Sequence, residues 1–159
     1  MPVSQTLCTS FKGEVLLGVH DFRASTGDTF KLALYTSAAN IGPDTTAYST
    51  TNEVVGTGYT AGGVTLTKLG VQTSDIQYGS SLGVGFTSFM TVALPASSIT
   101  AAAALIYNTT PSANGIAGTP LTNPAVCVLD FGGDKTTAGT TFTITFPTAA
   151  GNSAIIRVA

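Results

Sequence analysis

Thr140-Thr141-Phe142-Thr143-Ile144-Thr145-Phe146 decides the fold class. Threonine and a large apolar residue alternate with a period of two, so every second side chain falls on one face of an extended chain. The β-branched and aromatic types suit a pleated, half-buried surface. A helix would scatter Phe142, Ile144 and Phe146 around its circumference. Pro147 stops the run, because proline has no N–H to give to a ladder.

Working outward, the same period recurs. Ala125 to Phe131 is a nearly continuous apolar run, as in a strand buried on both faces. Gly132-Gly133-Asp134 is expected to turn the chain between these two strands. Ala154 to Val158 reads as a last strand. Upstream, Ile99, Ala101, Ala103, Leu105 and Tyr107 alternate with Thr100, Ala102, Ala104 and Ile106. The alanines alone favour helix, but their β-branched and aromatic flanks and the terminal Asn108-Thr109-Thr110 favour a strand. Val84 to Leu94 reads as one long strand closed by Pro95. Phe30, Leu32 and Leu34 alternate with Lys31, Ala33 and Tyr35 behind a Gly27 turn. Weaker strands are expected at 51–55, at 64–69 and from Val71 to Tyr78. Gly56, Gly58, Gly62 and Gly63 mark tight turns or bulges, since glycine takes positive φ without steric cost.

One helical signal stands apart. Leu7, Phe11, Val15 and Val19 fall at i, i+4 steps, which predicts a helix within 5–20, capped by Ser4 and ended near Gly18 and Asp21. It is expected either to pack on the β core or to serve as an arm for a partner. Two stretches lack periodicity: a polar loop at 37–48 around Gly42-Pro43-Asp44, and 109–124 with Pro111, Gly115, Gly118, Pro120 and Pro124. Loops as long as the second are usually functional or mobile. About eight or nine strands separated by turn signals predict an all-β single domain over 1–159, a β-sandwich with one short N-terminal helix. A jelly roll is one arrangement that this count permits.

Only 9% of the 159 residues are charged, against about 25% in an average soluble protein. Thr, Ser, Asn and Gly supply the polarity instead. Little ionic surface has to be dehydrated when such a chain is covered, and charge depletion marks the cores of protein interfaces. The six basic residues are scattered and the net charge is −2, so no electrostatic footprint for nucleic acid is expected. No run is long enough for a membrane helix. The apolar stretch at 15–19 is too short, and Lys12 and Glu14 too close, for a secretory signal, so a cytosolic site of synthesis is expected. Cys8 and Cys127 are then expected to be buried, inert thiols.

The residues that could carry chemistry form no convincing set. His20 is the single histidine and neighbours Asp21, yet no Gly-x-Ser-x-Gly elbow accompanies it. A capping or surface role near a helix end is expected for it. Among the eight carboxylates only Asp130 and Asp134 lie close together, flanking Gly132-Gly133. A glycosidase needs two opposed carboxylates, a separation that any two on a turn can meet by accident, and the Asp-x-Asp-x-Asp-Gly pattern of a calcium loop is absent, so a solvated turn is expected. Asp130-Phe131-Gly132 matches the kinase tripeptide by letters only. The segment 56–62 resembles a dinucleotide fingerprint without its strand–helix setting. Asn108-Thr109-Thr110 is formally a glycosylation sequon. Cys8, His20 and Cys127 lack the spacing of zinc ligands. No catalytic, cofactor-binding or metal residue is therefore assigned, and no enzyme is expected. Tyr35, Tyr48, Tyr59, Tyr78 and Tyr107 are candidates for a sugar-stacking or interface surface.

Several stretches together carry a resemblance: 27–36, 45–63, Ala104-Leu105-Ile106-Tyr107-Asn108, Val128-Leu129-Asp130-Phe131-Gly132, and Phe142 to Pro147. They resemble a family of small tailed-bacteriophage virion proteins, and the likeness covers most of 5–159. Members of that family have a shorter connection where this chain carries the 109–124 loop. The resemblance implies no catalytic residues. At this size it implies a capsid cement or decoration protein on the virion surface, made in the host cytoplasm. Its partners would be the major capsid protein and its own copies as a trimer or dimer, with neither nucleic acid nor membrane. The alternative is a tail or fibre component that binds host-surface glycans.

Overall fold

The computed structural model describes residues 3–74, 83–150 and 153–158. In chain order the described residues form β1 (Thr6–Leu7), α1 (Thr9–Leu16), β2 (Phe30–Tyr35), β3 (Val64–Thr65), β4 (Gln72–Ser74), β5 (Val84–Thr87), β6 (Val92–Ser97), β7 (Thr100–Asn108), β8 (Ala125–Thr136), β9 (Thr140–Ile144) and β10 (Ile156–Val158). The fold is all-β with one short helix. Its sheets are antiparallel, ordered β1-β8-β7-β2-β3, β10-β5-β4 and β6-β9. Among the described residues the strands thus divide into sheets of five, three and two.

The centre is the β2–β7 ladder, which is regular from Phe30↔Asn108 to Tyr35↔Ala103. Both strands are buried on both faces, with Phe30, Leu32, Leu34, Leu105 and Ile106 fully covered. Each such side chain contributes about 1.5–3 kcal/mol by leaving water. Alternation puts Phe30, Leu32 and Leu34 on one face. Lys31, Ala33 and Tyr35 lie on the other. An aromatic cluster covers the Phe30 face: Phe22 stacks on Phe30 at 4.3 Å, and Phe89 and Phe11 pack around the pair. Ala101 to Ala104 lie in β7 and are all buried. Small side chains there let covering layers approach from both sides, and packing overrides the alanines' helical preference.

β6 and β7 run consecutively along one side of a ribbon, with β9 and β8 along the other. β7 pairs with β8 from Tyr107↔Ala125 to Thr100↔Thr136, and β6 with β9 from Ser97↔Thr140 to Val92↔Ile144. The ribbon changes sheet at Ser97–Ile99, where Ser97 Oγ meets Thr137 Oγ1 at 2.9 Å and Thr137 N–H donates to the Ile99 carbonyl. One hydrophobic core joins side chains from all three sheets, among them Leu34, Phe142 and Ile156.

Several sequence expectations are corrected. Gly132-Gly133-Asp134 is a bulge inside β8 rather than a turn. Asp130 faces Ala103 and Lys135 faces Ala101, so Phe131 to Asp134 stand against Ala102 alone. Gly132 and Gly133 take φ of +69° and +119°, which only glycine adopts at little cost. The expected strand 84–94 is two strands. At Ser88 the chain leaves the β4–β5 sheet, its hydroxyl donating to the Pro147 carbonyl, and Phe89 makes a lone bridge to Lys68. Pro95 does not end β6; it sits in a bulge beside Ala96 at φ +48°, where a missing N–H is harmless. Residues 51–55 form no strand, only a Tyr35↔Glu53 bridge. The helix is shorter than 5–20. Thr6 and Leu7 pair with Val128 and Cys127, and Ser4 N–H donates to the Ile41 carbonyl instead of capping. Gly18 does end it, at φ +68°. Of the expected strand from Val71, Gln72–Ser74 is observed and 75–78 lie outside the described residues.

Candidate functional site

Two buried polar clusters lie on opposite faces of the β2–β7 ladder. On the Tyr35 face the centre is Glu53, 8% exposed. The Val54 N–H donates to the Leu34 carbonyl, which fixes this segment along the edge of β2. Glu53 Oε2 accepts from the Tyr48 hydroxyl at 2.6 Å. Oε1 accepts from the Tyr59 hydroxyl at 2.6 Å and the Gly62 N–H at 2.8 Å. Tyr59 Oη also accepts the Leu34 N–H, and the Tyr107 hydroxyl donates to the Gly62 carbonyl. Tyr48 stacks on Tyr107 at 4.6 Å, and Tyr35 donates to the Ser49 carbonyl. Burial, then the Glu53 charge, raises the proton affinity of Tyr48, Tyr59 and Tyr107, the last pushed up to about 12. Tyr48 and Tyr59 thus bind one carboxylate through their hydroxyls, while Tyr35 and Tyr107 bond to backbone carbonyls beside it. Tyr78 lies outside the described residues.

On the Phe30 face a chain of side chains runs Glu14–His20–Asn108–Asp28–Ser112. His20 lies under Phe11, its side chain fully covered, and is not a surface or capping residue. Its Nε2 lies 2.8 Å from Glu14 Oε2, and its Nδ1 lies 3.1 Å from Asn108 Nδ2. Asn108 Nδ2 also donates to Asp28 Oδ2 at 2.7 Å, while Asn108 Oδ1 accepts the Thr110 N–H at 2.9 Å. A carboxylate on one side and an N–H on the other fix which way the amide points. His20 Nδ1 must therefore accept, and the proton sits on Nε2 facing Glu14. The imidazole is neutral. Burial lowers its proton affinity, outweighing the pull of Glu14 and then Asp28. Asp28 Oδ1 accepts from Ser112 Oγ at 2.6 Å, and Oδ2 accepts the Asp21 N–H.

These contacts rearrange the residues that the sequence singled out. Asp21 neighbours His20 in sequence, yet its carboxylate binds Arg23, which holds it down at about 2. Ser112 touches Asp28 and not His20, so the order of partners is not that of a Ser–His–Asp relay, in which the histidine lies between the other two. Asp130 and Asp134 are exposed on the β8 bulge, where Asp130 Oδ1 accepts the Gly132 N–H. Cys8 and Cys127 are buried free thiols, and burial pushes Cys8 up to about 12. Glu14, Asp28, Asn108 and Ser112 were not foreseen as a group. They share no sequence signal: Glu14 lies within α1, Asp28 precedes β2, Asn108 ends β7 and Ser112 lies in the loop beyond it. Among the described residues no cluster of three or more His, Cys, Asp and Glu side chains is placed to hold a metal.

The surface has its own pattern. α1 buries Phe11 and Glu14 and turns its other side out. Ile116 packs over Gly13 on that side, and Leu16 and Leu17 follow one turn on, at 87% and 50% exposure. Val71 and Val158, also exposed, line a groove with Val15 and Phe86. A second groove, of about 560 Å3, runs between the β8 bulge and β9 over Phe131, Phe142, Ile144 and Phe146. No helix among the described residues is long and apolar enough to cross a membrane. Comparison with known proteins finds no matching family model, no matching curated protein and no matching solved structure.

Proposed function

We propose that this chain is a structural assembly protein, a capsid cement protein of a tailed phage that binds the major capsid protein and its own copies. One observation carries the reading. Leu16, Leu17 and Ile116 form an exposed apolar patch on a chain with few charges, while the Glu53, His20 and Asp28 side chains point inward and are hydrogen-bonded within two separate clusters. The polar groups that would serve chemistry are used in holding the fold, and the surface is left cheap to dehydrate. The likeness to virion proteins over most of 5–159 supports the setting. Binding only the assembled shell stabilises that shell by mass action.

Mass spectrometry of purified particles tests the reading. Copies in the hundreds per particle are expected, and Leu16→Asp with Ile116→Asp should abolish incorporation while leaving the thermal midpoint nearly unchanged. Absence from mature particles, together with a purely monomeric state at high concentration, would reject it. A second reading, a tail component that binds host glycans, has one observation in its favour. The 37–52 loop forms a cleft of about 430 Å3 whose lining includes Tyr35, Asn40, Ile41, Asp44, Thr51 and Asn52. Retention on host cell-wall sugars, lost in Asn40→Ala, together with only a few to dozens of copies per particle, would support that reading instead.

A further inference from the structure

We propose that His20 is an acid-operated latch, and that adding a proton to its Nδ1 frees the 109–124 segment and the end of α1 from the central sheet. The geometry makes the latch all-or-none. In the closed state Nδ1 accepts a hydrogen bond from Asn108 Nδ2. A proton on Nδ1 would set two donors face to face. Turning the amide over would not relieve this, because Oδ1 would then meet the Asp28 carboxylate and abandon the Thr110 N–H. Asn108 must move away instead, and Asp28 Oδ2 then loses a buried partner.

The bonds that fasten the start of the loop surround this point. Thr109 N–H donates to the Thr29 carbonyl, Ser112 N–H to the Val19 carbonyl, and Ser112 Oγ to Asp28. Glu14 ties the last turn of α1 to the same imidazole. The charged groups near the ring are Glu14 from α1, Asp28 and the Asp21–Arg23 pair from the 20–28 loop, and Lys68, whose Nζ donates to the Asp28 carbonyl. Glu14 and Asp28 favour an imidazolium. Burial and the inward-pointing amide of Asn108 oppose it.

The sign follows from proton linkage. In the open state the imidazole regains its ordinary value of 6.5, so below that pH the open state binds a proton that the closed state does not. The open population should rise between pH 7.5 and 5.5, by at most about tenfold. Leu16 and Ile116 ride on the two freed segments, so acid would also remodel the exposed apolar patch. The latch concerns the isolated chain and stands whether or not the chain is found in particles.

Hydrogen exchange on the full chain tests it, with the amides of Thr109, Thr110 and Ser112 corrected for the intrinsic effect of pH. Their protection should fall more than twofold and up to about tenfold from pH 7.5 to 5.5, while Leu105 is unchanged. In His20→Gln the side chain can still donate to Glu14 and accept from Asn108 but cannot take up a proton, and the fall should be less than twofold. An equal response in both proteins, or none in the wild type, overturns the proposal. Should the variant not fold, nitrogen NMR of the wild-type imidazole decides: a bare Nδ1 at pH 7.5 is expected, and a protonated one overturns it.

Discussion

Gly63 and Gly118 share a φ of +71° and differ in their surroundings. A Cβ on Gly118 would meet open space, whereas one on Gly63 would lie 1.9 Å from the Leu32 carbonyl oxygen. Gly118→Ala should therefore cost only the left-handed penalty, about 1–2 kcal/mol. Gly63→Ala adds a backbone clash and should cost about 4 kcal/mol or more. Urea unfolding of the two variants side by side checks the difference. Glu53 is the second decisive residue. Glu53→Ala leaves two tyrosine hydroxyls and the Gly62 N–H without their acceptor, at about 1–3 kcal/mol for each that stays buried. The same cluster sets an alkaline limit. Tyr48, Tyr59 and Tyr107 hold their protons more tightly when folded than at their ordinary value of 10.0. The unfolded chain thus loses protons first, and stability should fall as pH rises beyond about 10. Equilibrium unfolding from pH 8 to 11 would reveal this, and Tyr107→Phe should blunt it. The need for positive φ around Gly58, Gly62 and Gly63 was legible in the sequence. The clustering of the tyrosines was not, because long-range bonds bring them together: the 46–48 segment bonds to Asn123–Ala125 beside Tyr107, and Tyr59 bonds to Leu34 and Glu53.

Among the elements, β2, β7 and β9 were legible because each keeps a period of two within one sheet. Reading failed where the chain changes sheets. Nothing in the apolar run Val84 to Leu94 marks Ser88 as the crossing point, since both halves bury the same types of side chain. The β8 bulge misled for a related reason: paired glycines are as apt for a bulge as for a turn. β1 was lost to helical spacing because two residues are too few to show alternation. The alanine run makes a sharp test at this scale. If Ala103 is small so that layers can close on both faces of β7, Ala103→Leu should cost at least about 1–3 kcal/mol by overpacking. A helical surface would tolerate the change. Thermal unfolding with near-ultraviolet circular dichroism would separate a strained core from an intact one.

For the molecule as a whole, the scarcity of charge makes a statement about salt. Raising ionic strength from about 0.1 M to 1 M shortens the screening length from about 10 Å to 3 Å. Contacts between apolar faces should hold or tighten over that range, whereas contacts between charged faces should weaken steeply. Sedimentation of the chain with itself, or with capsids, across that range would show which applies; a steep loss would remove the main support for the assembly reading. Composition and the all-β class with one short helix were the global properties that the sequence made plain, and neither says which faces are used. The two-part ribbon has a different consequence, for how the molecule comes into being. Its nearest partners, Tyr107 and Ala125, flank the 109–124 loop, and its farthest, Val92 and Ile144, meet only after every pair between them. Pairing that begins beside the loop can zip toward the far end and carry the chain from the first sheet into the second. Splicing residues into that loop should then cost little in equilibrium stability, about 0.6 kcal/mol for a doubling, yet delay the first step on which the rest of the zipper waits.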